Sequence, residues 1–155
     1  MTERVGFYRS PIGMLKLTLQ EQRQLKRVEW SEEMSFQPLP EKGVFREIGA
    51  QLDAYFAGSL RQFSLPVFWE GSEFYQQVWR CLCTIPYGET RAYQQMAIQC
   101  GHPKAARAVG QAVHRNPIPI ILPCHRVIGA SGALVGYTGG CEKKRFLLRL
   151  EGALT

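Results

Sequence analysis

Between Asn116 and Gly140 the chain carries prolines at 117, 119 and 123, then glycines at 129, 132, 136, 139 and 140. No helix or central strand can run through such a segment, because proline fixes φ and brings no backbone N–H. Its middle, Ile120–Leu122, is nonetheless wholly apolar. That combination predicts a short stretch anchored in the core beside a buried strand, with Pro123 forcing a sharp exit at which Cys124 and His125 emerge. The thiol is followed directly by an imidazole and the Arg126 guanidinium. Neighbouring positive charge favours thiolate, the form that attacks carbon. The residues alone leave two readings open: an activated nucleophile, or an inert buried cysteine in a proline-bordered loop.

The other cysteines weaken the competing chemistries. Cys81, Cys83, Cys100, Cys124 and Cys141 are an odd number with irregular spacing, which argues against a disulfide framework. Cys81 and Cys83 flank a single residue and no second Cys/His pair sits at a zinc-site distance, so no metal is expected. No apolar run approaches the roughly 20 residues of a membrane span, and the N-terminus lacks a secretion-signal layout. An intracellular, cytoplasmic protein is expected, with no membrane partner. Residues 1–85 are charge-neutral, whereas residues 86–155 hold nine Lys/Arg against three Asp/Glu. The whole excess of +6 therefore lies with Cys124, which suggests a polyanionic partner, nucleic acid first.

Two domains are expected, 1–70 and 71–155. In the first, residues 4–9, the alternating Leu15, Leu17 and Leu19, and the group Leu25, Val28 and Trp30 predict a three-stranded antiparallel meander. A loop follows at residues 35–40. Val44, Phe45, Ile48, Leu52, Tyr55 and Phe56 then recur at helical spacing up to Gly58. Residues 61–71 read as an edge strand or linker. In the second domain Ser72 caps a helix that Pro86 ends. Thr90 is the next cap candidate, for a helix reaching Cys100, and Pro103 suits the first position of another that reaches about His114. Two short helices around Gly101 make a helix-turn-helix candidate. The second is small-sided (Ala105, Ala106, Ala108, Gly110, Ala112), a surface suited to lying against DNA or to tight internal packing. Residues 141–150 predict an amphipathic helix with Phe146, Leu147 and Leu150 inward and Lys143, Lys144, Arg145 and Arg149 outward.

Pro123-Cys124-His125-Arg126, with Asn116 before it and Tyr137-Thr138-Gly139-Gly140 after it, resembles the active-site signature of the O6-alkylguanine-DNA alkyltransferases, the methylated-DNA–protein-cysteine methyltransferases. The resemblance covers residues from about 74 to 151. It implies a ribonuclease H-like α/β N-terminal domain with a small antiparallel sheet, then a mostly helical, winged-helix-like C-terminal domain. Cys124 would take the alkyl group, His125 would act as its base through a water, and Glu151 would hold the imidazole. Asn116 would bridge the helix-turn-helix and the active-site loop. Tyr93, the Val127 carbonyl, Tyr137 and the backbone of Thr138 and Gly139 would bind the flipped guanine. Arg107 would enter the base stack that the guanine leaves. Lys104, Ala106, Ala108 and Gly110, with Arg115 and Arg126, would complete the DNA-facing set.

The activity so implied is single-turnover transfer from O6-alkylguanine, and by the same chemistry O4-alkylthymine, to Cys124. No cofactor is needed. The partner would be double-stranded DNA bound through its minor groove by a monomer, in the cytoplasm or, in a prokaryote, on the nucleoid. A lesion-binding or regulatory helix-turn-helix protein without chemistry is the alternative, which the joint presence of Cys124, His125 and Glu151 disfavours. A Cys-His hydrolase lacks a persuasively placed second histidine, since His102 and His114 fall in the expected DNA-binding region.

Overall fold

The computed structural model describes residues 2–35 and 37–154. They form two compact units that divide between Trp69 and Glu70. In the first, β1 (Glu3–Ser10), β2 (Gly13–Gln20) and β3 (Gln24–Ser31) pair antiparallel in the order β1-β2-β3. A bulge shifts the β2–β3 register between Thr18 and Leu19, so that Leu19 faces Leu25 while Thr18 faces Arg27. The extra residue explains why Leu25 and Val28, three apart, are both buried. The central strand is more enclosed than its alternation suggests, for Thr18 and Gln20 are buried along with Leu15, Leu17 and Leu19.

Helix α1 (Gly43–Phe56) buries Phe45, Ile48, Leu52 and Tyr55. Each such side chain contributes about 1.5–3 kcal/mol. At Gly6 a Cβ would stand 2.8 Å from the Leu39 side chain and 2.9 Å from Phe45, so glycine lets both pack onto the sheet. The Tyr8 hydroxyl ties β1 to α1 by donating to Asp53 Oδ1 at 2.7 Å. The expected edge strand in residues 61–71 reduces to one bridge, Leu25 to Val67. Pro66 lacks an N–H to extend the ladder, although its carbonyl accepts from Leu25 N. The loop before α1 is irregular as expected, except that Phe36 lies outside the described residues.

In the second unit Ser72 caps α2 (Glu73–Leu82), its hydroxyl accepting from Tyr75 N. Trp79 Nε1 donates to the Ala112 carbonyl at 2.8 Å, locking α2 to α4 (Ala106–His114). Two helix starts differ from expectation. α3 spans Tyr93–Gln99, not Thr90 onward, because Arg91–Ala92 (β4) pair in parallel with Val127–Ile128 (β5). Its N-terminus is held by Gln95, whose Oε1 accepts from Ala92 N. Pro103 belongs to the connecting turn, and α4 begins three residues beyond it. Gly101, at φ +85°, closes α3: its N–H reaches the Ile98 carbonyl and that of His102 the Ala97 carbonyl. The last helix, α5, spans Cys141–Leu150.

Candidate active site and DNA-facing helix

Ile120–Leu122 is buried as expected, but it is not a strand. Ile120 adopts φ +76° and a single bridge joins Pro119 to Leu122. Asn116 holds this shape from inside the core. Its Nδ2 donates to the Leu122 carbonyl at 2.7 Å and its Oδ1 accepts from Ile118 N at 2.9 Å. Cys124–Arg126 then forms one 3-10 turn, and all three side chains are buried rather than emerging at a surface.

Burial pushes the Cys124 thiol up to about 11, against the opposing pull of the Asn116 amide and the Lys144 ammonium. The resting group is therefore a thiol. His125 is fully enclosed. Its desolvation holds the imidazole below its ordinary value, with Glu151 pulling the other way. His125 Nε2 lies 2.7 Å from Glu151 Oε2. A carboxylate only accepts, so Nε2 carries the hydrogen and Nδ1 keeps the lone pair. Nδ1 has no hydrogen-bond partner among the described residues.

Glu151 is held from a second side. Arg126 Nε donates to its Oε1 at 2.8 Å and Nη2 to its Oε2 at 3.1 Å, while Nη1 donates to the Ile85 carbonyl at 2.7 Å. This corrects the placing of Arg126 in the DNA-facing set: the residue is 7% exposed and its guanidinium donates internally.

Lys144 was expected in solvent and is instead 1% exposed. Its Nζ donates to the Val127 carbonyl at 2.6 Å and the Val135 carbonyl at 2.9 Å, so one lone pair of the expected guanine-binding Val127 carbonyl is already occupied. The signal was present in the sequence, since residues 144, 147, 148 and 151 follow the helical repeat of the buried face. Leu147 and Leu148 fill the inward positions, while Phe146 and Leu150 are half-buried. Lys144 thus pins the loop that leads to Tyr137, which is buried, and to the exposed Thr138 and half-buried Gly139.

A groove of about 990 Å³ follows the outer face of α4, lined by Tyr93, Lys104, Ala106, Arg107, Ala108 and Gly110, with Gln111 and His114. Lys104, Arg107, Ala108 and Arg115 are exposed and Ala106 half-buried. Gly110 lines the groove and also packs against Tyr93. It is buried, and a Cβ there would lie 3.3 Å from Tyr93 Cδ1. Tyr93 connects groove and thiol: burial raises its phenol, and a charge on Cys124 would raise it further.

No helix among the described residues is long and apolar enough to cross a membrane. They contain no cluster of three or more metal-ligating side chains.

Comparison with known proteins matches residues 73–153 to the 6-O-methylguanine DNA methyltransferase DNA-binding domain, and residues 4–68 to the ribonuclease-like domain of the same proteins. A methylated-DNA–protein-cysteine methyltransferase of Mycobacterium leprae is 61% identical over 113 residues, 73% of this chain and 68% of that protein. One of Methanosarcina acetivorans is 49% identical over 153 residues, 96% of this chain and 97% of that protein. Among solved structures, the Mycobacterium tuberculosis O6-methylguanine methyltransferase superposes with a TM-score of 0.86 at 46% identity, covering 98% of this chain and 94% of its own. The same organism's OGT in complex with DNA gives 0.83 at 49% identity, covering 95% and 91%.

Proposed function

The chain belongs to the 6-O-methylguanine DNA methyltransferase family, and on that premise we propose that it repairs DNA by moving the alkyl group of O6-alkylguanine irreversibly onto Cys124. The observation that carries the reading is the buried series Cys124, His125, Glu151 and Arg126, each placed to hold or move one proton. DNA is the partner, through the exposed basic face of α4. The substrate base must leave the stack before a buried thiol can reach its substituent, and Arg107, exposed at the start of α4, fills the space it vacates. Docking is to the minor groove, by a monomer. The DNA substrate places the protein in the cytoplasm, on the nucleoid in a prokaryote.

At rest the thiol keeps its proton and His125 is neutral, so no thiolate–imidazolium pair forms before the substrate base arrives. When the alkyl carbon lies against sulfur, the thiol proton passes through a bridging water to His125 Nδ1. Glu151 stabilises the resulting imidazolium through Nε2–H. The sulfur lone pair forms the S–C bond as the C–O bond breaks, and the guanine oxygen takes the bonding pair. Donors at Tyr93 and in the backbone of Thr138 and Gly139 stabilise that charge, and the proton taken from the thiol passes from the His125 imidazolium through water to the base, restoring neutral guanine and neutral His125. In balance, Cys–SH and alkylated guanine become the thioether and guanine. O4-alkylthymine presents the same O–alkyl bond and is accepted by the same route. The neutral thioether is a stable product with a poor leaving group, so the alkyl carbon is not passed on and each molecule acts once. Titrating the protein with a lesion-bearing duplex tests this, with repaired lesions reaching a plateau at one per molecule. Continued turnover beyond one would overturn the reading.

A further inference from the structure

His114 ends α4 and has no part in the transfer scheme, yet it is built into the wall of the groove. Its Nε2 and the Tyr93 hydroxyl share a hydrogen bond of 2.9 Å, and the two rings meet edge to face with centroids 5.7 Å apart. The same hydroxyl lies 3.4 Å from the Val135 carbonyl. Gly136, at φ +71°, passes so close to His114 Nε2 that no Cβ could be accommodated. The phenol has one hydrogen to give. It can give it to His114 only while Nε2 holds a lone pair. Once Nε2 bears a hydrogen, His114 becomes the donor and the phenolic hydrogen turns to the Val135 carbonyl or to a ligand.

We propose that His114 is a positioning residue for Tyr93, and that gain of a proton at Nε2 turns the Tyr93 hydroxyl from His114 toward the flipped base. The inference rests on the reading above, in which Tyr93 meets that base. The titratable and charged groups that act on His114 are Tyr93 on α3 and Lys144 on α5, with Cys124 beyond Tyr93. Arg115 follows it in the chain, and Lys104 and Arg107 line the same groove farther along α4. Burial and the Lys144 ammonium hold His114 below its ordinary value, so the free protein keeps it neutral at neutral pH. DNA phosphates arriving along the groove act in the opposite sense, favouring the imidazolium. Docking thereby draws in a proton and prepares Tyr93 as a donor at the moment it is needed.

The test follows methyl transfer from an O6-methylguanine duplex under single-turnover conditions, for the wild type, His114→Gln, Tyr93→Phe and the double variant. Glutamine can keep a hydrogen bond to Tyr93 but cannot titrate. The wild-type rate divided by the His114→Gln rate should rise about threefold or more between about pH 7.5 and about pH 5.5, across the histidine range. In the Tyr93→Phe background, His114→Gln should have no further effect at either pH. A ratio flat with pH overturns the proposal, as does an equal effect of His114→Gln with and without the Tyr93 hydroxyl. Absence of any transfer by the wild type would overturn the alkyl-transfer reading and this inference together.

Discussion

Arg126→Met removes the guanidinium that grips Glu151 through two hydrogen bonds and leaves a buried carboxylate without that counter-charge. Methionine fills much of the same volume, so the loss is electrostatic. Breaking a buried ion pair from one side costs about 3–5 kcal/mol. With a urea dependence of about 1–3 kcal/mol per molar, the unfolding midpoint of the C-terminal unit should fall by about 2 M. Replacing Glu151 as well, in Arg126→Met/Glu151→Met, should recover part of the loss, because no charge is then left stranded. The assay is urea unfolding at neutral pH, paired with DNA binding measured against salt. Were Arg126 a phosphate contact instead, the variant would keep its stability within about 0.5 kcal/mol and lower the salt slope of binding by about 1. That pair of results would refute the internal role.

Lys144→Met should raise the pH at which Cys124 reacts with a small alkylating reagent, since the ammonium lowers the thiol. It should also slow methyl transfer by about 10-fold or more through loss of two carbonyl contacts, both readable by mass spectrometry. The Cys124 thiol is raised from 9.0 to about 11 on folding, so its contribution to stability is complete below its unfolded value and lost as pH rises through its folded one. Relative to Cys124→Ala, the wild type should lose about 3 kcal/mol across that interval, measured by denaturation at stepped alkaline pH. Gly136→Ala places a side chain at φ +71° and against His114, and should cost about 1–2 kcal/mol from backbone strain alone, seen as a lower melting temperature.

The fold was legible wherever one periodicity governed a segment. The meander, α1, the Ser72 cap and α5 follow from alternation, helical spacing and cap chemistry. Legibility failed where distant segments decide the local structure. Thr90 is a reasonable cap by composition, yet the parallel pairing of Arg91–Ala92 with Val127–Ile128 moves the start of α3. Pro103 fits a first helical position but serves the turn. The identities in the Pro-Cys-His-Arg segment pointed to a reactive thiol, while its burial could not be read from neighbours alone. Charge was the least reliable guide: Arg126 and Lys144 counted toward a basic surface, and the fold takes both inside. His114 could be assigned only to the expected DNA-binding region, because its partners, Tyr93 and Gly136, are each about twenty residues away.

The central claim is that Cys124 itself receives the alkyl group. Intact and peptide mass spectrometry after reaction with a duplex carrying one O6-methylguanine tests it most directly. The predicted result is a single added methyl on the peptide containing Cys124, with none on Cys124→Ala. Repaired DNA with an unmodified Cys124, or tight lesion binding without any mass change, would contradict it.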